Sequence, residues 1–252
     1  MKILIVSGFL GAGKTTFIKR LARNVDQRFA ILENEYGAAG IDGARLGQNR
    51  QGTQKNVWEM TEQCICCIGK KDFAASVLTI ANVVDPEYLI VEPTGVGSLA
   101  RIIENLRQIE YERIQLLSPV TIVDVYSYRR YMAEYPELYQ DQIRSADTII
   151  VSKTEACQAE EKQRIQKFLQ EINPQAKIIT DYASTMTRED YQSLLLGGRY
   201  EKEVQDTQSG EKMPETFSFE NIRMEAPETL WCFLEQIIRG AFGNIIRAKG
   251  QF

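Results

Sequence analysis

Gly8-Phe9-Leu10-Gly11-Ala12-Gly13-Lys14-Thr15 is the stretch from which the fold of this chain is read. It completes the pattern G-x-x-x-x-G-K-[ST] directly after the apolar run Lys2–Ser7, which reads as a buried strand. Phe17, Ile18 and Leu21 follow on one helical face. Strand, glycine-rich loop and helix together form the context that makes this pattern a phosphate loop. Gly8, Gly11 and Gly13 let the backbone close in without Cβ clashes. The loop amides, with Ala12 and Thr16 among the nucleotide-binding positions, and the helix N-terminus are expected to wrap a polyphosphate. Lys14 is expected to reach the β and γ phosphates, and the Thr15 hydroxyl to ligate Mg²⁺. The competing reading is a chance glycine-rich turn.

Outward from the loop, apolar β-rich runs recur at Phe29–Glu33, Tyr88–Glu92, Val120–Val125, Thr148–Ser152 and Lys177–Thr180. Helical patterns lie between them, notably Lys70–Val83, Ser98–Arg107, Pro136–Ala146 and Ala159–Ile172, with Pro174 stopping the last. This alternation predicts an α/β fold of the P-loop NTPase kind, with a mostly parallel sheet and helices on both faces. Ligands of such sheets sit at the C-terminal ends of the strands, where the glycine-rich loop already lies. Residues 1–196 are read as this nucleotide-binding domain. Gly197-Gly198 opens a stretch dense in Glu, Lys, Gln and Asp, so 197–215 is read as a mobile linker. In 216–252, Phe217 and Phe219 alternate like a strand, a helix runs from Pro227 to Gly240, and Asn244–Ala248 reads as another strand. Two strands and one helix do not close a core. This small α+β unit is therefore expected either to dock on the large domain or to be a truncated one, and truncation is favoured.

Composition narrows the classes of function. A net charge of −4 offers no general attraction to nucleic acid or to an acidic membrane. No apolar run approaches the length of a membrane span, and no charged-then-apolar signal opens the chain. A cytoplasmic protein without a cleaved leader is expected. The cysteines number five, an odd count, and Cys64, Cys66 and Cys67 fall within four positions, so they suit a thiolate cluster better than a disulfide framework. With no histidine in the chain, a metal site has to be built from thiolates, carboxylates, carbonyls, water or a partner's side chains.

Three further motifs carry chemistry. Glu92-Pro93-Thr94-Gly95 follows a strand, where Glu92 suits the Mg²⁺ hydration shell and the Gly95 amide suits γ-phosphate sensing. The plain alternative is a strand-end carboxylate capping the next helix. Ser152-Lys153-Thr154-Glu155 stands where GTPases place Asn-Lys-x-Asp. Lys153 would cover the base and Glu155 would accept from it, but Ser for Asn and Glu for Asp leave guanine against adenine open. Cys64-Ile65-Cys66-Cys67 suits a tetrahedral Zn²⁺ site, with Glu35, Glu62, water or a partner as the fourth ligand. Buried small hydrophobes and a redox thiol pair are the alternatives. Glu35 and Asp42 lie in the loop after the second strand, where a solvated loop is an equal reading.

Taken together, these motifs resemble the CobW-type GTPases of the CobW/HypB/UreG nucleotide-binding family, relatives of the nickel-insertion GTPases of urease and hydrogenase maturation. The resemblance rests on Gly8 to Thr16, Glu33 to Gly37 with Ile41-Asp42, Cys64 to Cys67, and Glu92 to Gly95. It continues through Val123-Asp124, Gln142-Ile143, Ala146-Asp147, Ser152 to Glu155 and Ile246 to Gly250. It implies a slow Mg²⁺-dependent GTPase in which Lys14, Thr15 and Glu92 serve catalysis. Nucleotide state would be coupled to a transition metal, Zn²⁺ first and Co²⁺ or Ni²⁺ otherwise. The expected partners are GTP, a metalloprotein client and a second copy of the chain in a nucleotide-dependent homodimer, with no nucleic acid and no membrane. An ATP-preferring ATPase or kinase and a metal sensor or scaffold without turnover are the rival readings. The chain departs from the family at Gln63, where glycine is usual, at Ser152 and Glu155, and in lacking a histidine-rich stretch.

Overall fold

The computed structural model describes residues 1–27, 29–33, 59–61, 70–204, 226–243, 245 and 248. The chain divides into two compact units, Met1–Pro214 and Glu215–Phe252.

Among the described residues the first unit has eight strands: β1 (Lys2–Gly8), β2 (Phe29–Glu33), β3 (Glu59–Thr61), β4 (Tyr88–Glu92), β5 (Gln115–Leu116), β6 (Val120–Asp124), β7 (Thr148–Ser152) and β8 (Lys177–Ile179). Their order is β3-β2-β4-β1-β6-β7-β8, with β5 also on β1, and every pairing is parallel. β1 is held from both sides: Lys2–Ile5 pairs with Tyr88–Val91 of β4, and Val6–Gly8 pairs with Val120–Ile122 of β6. The chain winds first to one side of β1 and then to the other. The phosphate-binding motif therefore leaves the sheet at its topological switch point, where such sheets bind ligands.

Parallel strands alternate with α1 (Lys14–Asn24), α2 (Lys70–Val83), α3 (Leu99–Arg107), α4 (Tyr128–Glu134), α5 (Pro136–Arg144), α6 (Ala159–Ile172), α7 (Tyr182–Thr185) and α8 (Arg188–Leu196). Neighbouring side chains of a strand point to opposite faces, and β1 divides its apolar residues accordingly. Ile3 and Ile5 join a core with Phe73, Val77 and Ile80 of α2 and Ile103 and Leu106 of α3. Leu4 and Val6 join the opposite core with Phe17, Ile18 and Leu21 of α1 and Tyr191 and Leu195 of α8. A strand apolar on both faces is stable only when both are covered, which is why the run Lys2–Ser7 is almost continuously hydrophobic.

In the first unit, the strands and long helices expected from the sequence lie within two residues of the observed bounds. The small pieces carry too few residues for a periodic signal: β3, β5 and α7 have three, two and four. The first part of the stretch read as a linker is packed chain. Arg199 bridges Leu117, and the Tyr200 amide donates to Leu116 O at 2.9 Å. The buried Tyr200 ring belongs to the core under α3, and its hydroxyl donates to Ser145 O. In the second unit the described helix is α9 (Pro227–Ile238), with proline in its first turn and Gly240 at φ 76° just past its end. The strands expected around Phe217 and Asn244 rest on residues outside the described set.

Candidate nucleotide site

Gly8 ends β1 at φ 141°, and a Cβ there would lie 2.4 Å from the Ile122 carbonyl oxygen of β6. Only glycine lets the loop leave the sheet at this crowded point. Gly13, at φ 100°, is the N-cap of α1 and has no side chain to cap it, so the first-turn amides of that helix face the loop. Phe9 is buried among Tyr131, Tyr135 and Tyr139, with ring centroids 4.2, 5.5 and 5.8 Å away. The Tyr131 hydroxyl donates to Leu10 O at 3.1 Å. The Phe9 ring and the Leu10 carbonyl thus anchor the loop on α4 and α5. Burial drives the Tyr139 hydroxyl far above its ordinary pKa, so this wall stays neutral.

Lys14 is buried on its loop, its ammonium donating to Gly8 O at 3.0 Å and lying 3.4 Å from Phe9 O. A cation held by backbone carbonyls inside a ring of amides suits a polyphosphate. One residue on, the Thr15 hydroxyl lies 3.0 and 3.2 Å from the two carboxylate oxygens of Glu92 at the end of β4. A hydroxyl and a carboxylate are hard oxygen donors, and they fit Mg²⁺. Gly11 and Thr16 are exposed.

Past Glu92 the chain turns back onto the loop. A Cβ on Gly95 would lie 2.5 Å from Leu10 N, so the two backbones are in direct contact. Thr94 holds the turn from inside: its hydroxyl accepts from the Val96 amide and its carbonyl from the Gly97 amide. α3 then starts with Ser98 as N-cap, whose hydroxyl accepts from the Arg101 amide at 3.1 Å.

The third part of the site follows β7. Ser152 is buried, its hydroxyl donating to Ala12 O at 2.6 Å with Val123 O at 3.3 Å. It ties the end of β7 to the phosphate loop with one bond. Lys153 adopts the left-handed conformation (φ 60°), and its ammonium pairs with Asp124 at 2.6 Å. Thr154 is buried and Glu155 exposed. Asp181, just past β8, was not singled out by any sequence pattern. Lys162 of α6 donates to it at 2.6 Å, and this bond, with the Thr154 hydroxyl adding to it, holds its carboxyl below the usual range.

The loop, the Glu92 turn and the Ser152–Glu155 segment thus converge at the C-terminal ends of β1, β4 and β7. A family model described as the CobW/HypB/UreG nucleotide-binding domain matches residues 2–180. The chain belongs to the CobW/HypB/UreG family. It is 30% identical over 178 residues to the zinc chaperone YeiR of Escherichia coli, covering 69% of this chain and 53% of the relative. To the zinc chaperone CobW of Pseudomonas aeruginosa it is 27% identical over 194 residues, covering 66% and 52%. The chain spans about half the length of the curated relatives it matches. Among solved structures, Zn(II)-bound YjiA GTPase from Escherichia coli superposes with a TM-score of 0.54 at 21% identity, over 80% of this chain and 66% of that one. The hydrogenase maturation factor HypB of Archaeoglobus fulgidus gives 0.51 at 17%, over 78% and 89%. These two likenesses show the shared fold.

The residues read from the sequence as a transition-metal site in this CobW/HypB/UreG domain, Cys64, Cys66, Cys67 and Glu35, lie outside the described residues, as do Glu62 and Asp42. Among the described residues no group of three or more Cys, Asp and Glu side chains is placed to hold a metal ion. No helix among them is long and apolar enough to cross a membrane.

Proposed function

We propose that this chain is a Mg²⁺-dependent, GTP-binding and GTP-hydrolysing protein of the cytoplasm. It couples nucleotide state to the binding and transfer of a transition metal, zinc first, to a metalloprotein client. The observation that carries the reading is the convergence of Lys14, Thr15, Glu92 and the Gly95 turn at the ends of β1 and β4. Lys14 and the loop amides bind the β and γ phosphate oxygens and stabilise charge that grows on them during transfer. Thr15 and Glu92 hold Mg²⁺, which supplies further charge neutralisation when bound. The Gly95 amide faces the terminal phosphate. Lys153 covers the base and Glu155 accepts from it.

The metal half of the proposal is supported by Cys64, Cys66 and Cys67, with Glu35 as a fourth donor, and by the zinc chaperones among the relatives. Thiolates near nucleotide-sensing loops allow a γ-phosphate contact to open or close the metal site, in each copy of a nucleotide-dependent homodimer. Metal analysis of the purified chain with and without GTP or a non-hydrolysable analogue tests both halves. About one zinc per chain, with affinity that changes with the nucleotide, is expected. Stoichiometry unchanged in Cys66→Ala overturns the thiolate site. Ser152 and Glu155 depart from the guanine-reading pattern and leave adenine as the second reading, and ATP outcompeting GTP overturns the guanine assignment.

A further inference from the structure

Gln142 of α5 is buried, and its side chain does one thing: the carboxamide Nε2 donates to Gly95 O at 3.1 Å and to Gly97 O at 3.0 Å. Both of its N–H groups are spent on the turn after Glu92, while its Oε1 is buried with no hydrogen-bond partner. The reverse orientation would set that oxygen against two carbonyls, so the partners dictate the amide's direction. An unpaired buried acceptor costs stability, and here it accompanies a double clamp on one three-residue turn. The Val96 and Gly97 amides are turned inward onto Thr94, while the Gly95 amide takes no partner among the described residues. Tyr131 of the adjoining helix α4 holds Leu10 O. The loop and the turn are therefore both referenced to the α4–α5 pair.

We infer that Gln142 is a positioning residue that sets the Gly95 amide against the phosphate loop and makes the site selective for a nucleoside triphosphate over the diphosphate. The inference rests on the functional reading above. The turn faces the γ-phosphate alone, so loss of the clamp spares binding of the diphosphate and impairs the step that involves the third phosphate. Tyr131 anchors the loop itself, which both nucleotides use.

The test uses the full chain with Gln142→Glu, which keeps the shape but sets a carboxylate against two carbonyls, and Gln142→Met, which removes donor and orphan acceptor together. Affinities for GDP and a non-hydrolysable GTP analogue, kcat and KM for GTP, and the Tm without nucleotide are measured for each. GDP affinity within about twofold of wild type, kcat down about tenfold or more, and an analogue-to-GDP affinity ratio down about fivefold are expected in both. The Met variant is expected to lower the Tm less than the Glu variant, because it leaves the Gly95 and Gly97 carbonyls unpaired but sets no charge against them. Tyr131→Phe is expected to weaken GDP and analogue alike. Equal loss of GDP and analogue in both Gln142 variants, or unchanged kcat and ratio, overturns the positioning role. Wild-type protein that neither binds the analogue nor hydrolyses GTP overturns the functional reading and this inference with it.

Discussion

Gly95 shows how a single missing side chain decides the site. Its Cβ position is walled by backbone, with Leu10 N at 2.5 Å and Leu10 Cα and Phe9 C at 2.8 Å, so no rotamer change relieves a methyl there. Gly95→Ala should destabilise the fold by about 1–3 kcal/mol in urea unfolding, and GTP turnover should fall with it. Wild-type stability in that variant would contradict the close packing of turn on loop. Asp181 is a second case, and its effect is a matter of pH. Lys162, and after it the Thr154 hydroxyl, hold its carboxyl below the ordinary range. As pH falls, the unfolded chain takes up this proton first, near about pH 4. The stabilisation is therefore complete above that value and is lost as pH falls through the lower native one. Lys162→Met should flatten the acid limb of stability below about pH 5, read from unfolding curves across pH. An unchanged limb would show that the pair, which is partly exposed and screened, contributes nothing.

At the scale of elements, α5 works as a bracket. Asp141, next to Gln142, is buried, and its Oδ2 accepts from the Leu99 amide at 2.6 Å and lies 3.4 Å from the Ala100 amide. With the Ser98 hydroxyl on Arg101, the opening turn of α3 is capped partly by its own residue and partly by another helix. The carboxylate also faces the positive end of the α3 dipole. Asp141→Ala leaves buried amides unpaired and should cost about 2–3 kcal/mol, measured by urea unfolding. Asp141→Asn keeps an acceptor and should lose less. The Ser98 cap was legible as the start of the Ser98–Arg107 helix. The Asp141 cap was not, because nothing in a linear pattern relates a helix start to a carboxylate 42 residues away.

For the whole molecule, ligand linkage is the decisive measurement. A nucleotide that binds only the folded state raises stability by about 2.7 kcal/mol at a hundredfold excess over Kd. GTP with Mg²⁺ should raise the Tm more than ATP at equal concentration, and Lys14→Ala should abolish the shift. A shift retained in Lys14→Ala would place the ligand elsewhere. Lys14 is held by its own loop's carbonyls, so its loss acts on the loop as well as on phosphate charge.

The sequence by itself determined the long elements and the phosphate loop, because these are local. A buried parallel strand must be apolar on both faces, a helix must repeat its apolar face, and a loop that wraps phosphate needs Gly8, Gly11 and Gly13 in fixed spacing. It also named Lys14, Thr15, Glu92 and Gly95 one by one. Only the tertiary structure brought Thr15 to Glu92, 77 residues apart, and laid Gly95 on Leu10. Ser152 bonds Ala12 across 140 residues, and Gln142 reaches its turn across 47. Those approaches are set by which strands lie beside β1 and how α5 packs against α3 and the turn before it. Such contacts arise from the register of a closed core and leave no periodic trace along the chain.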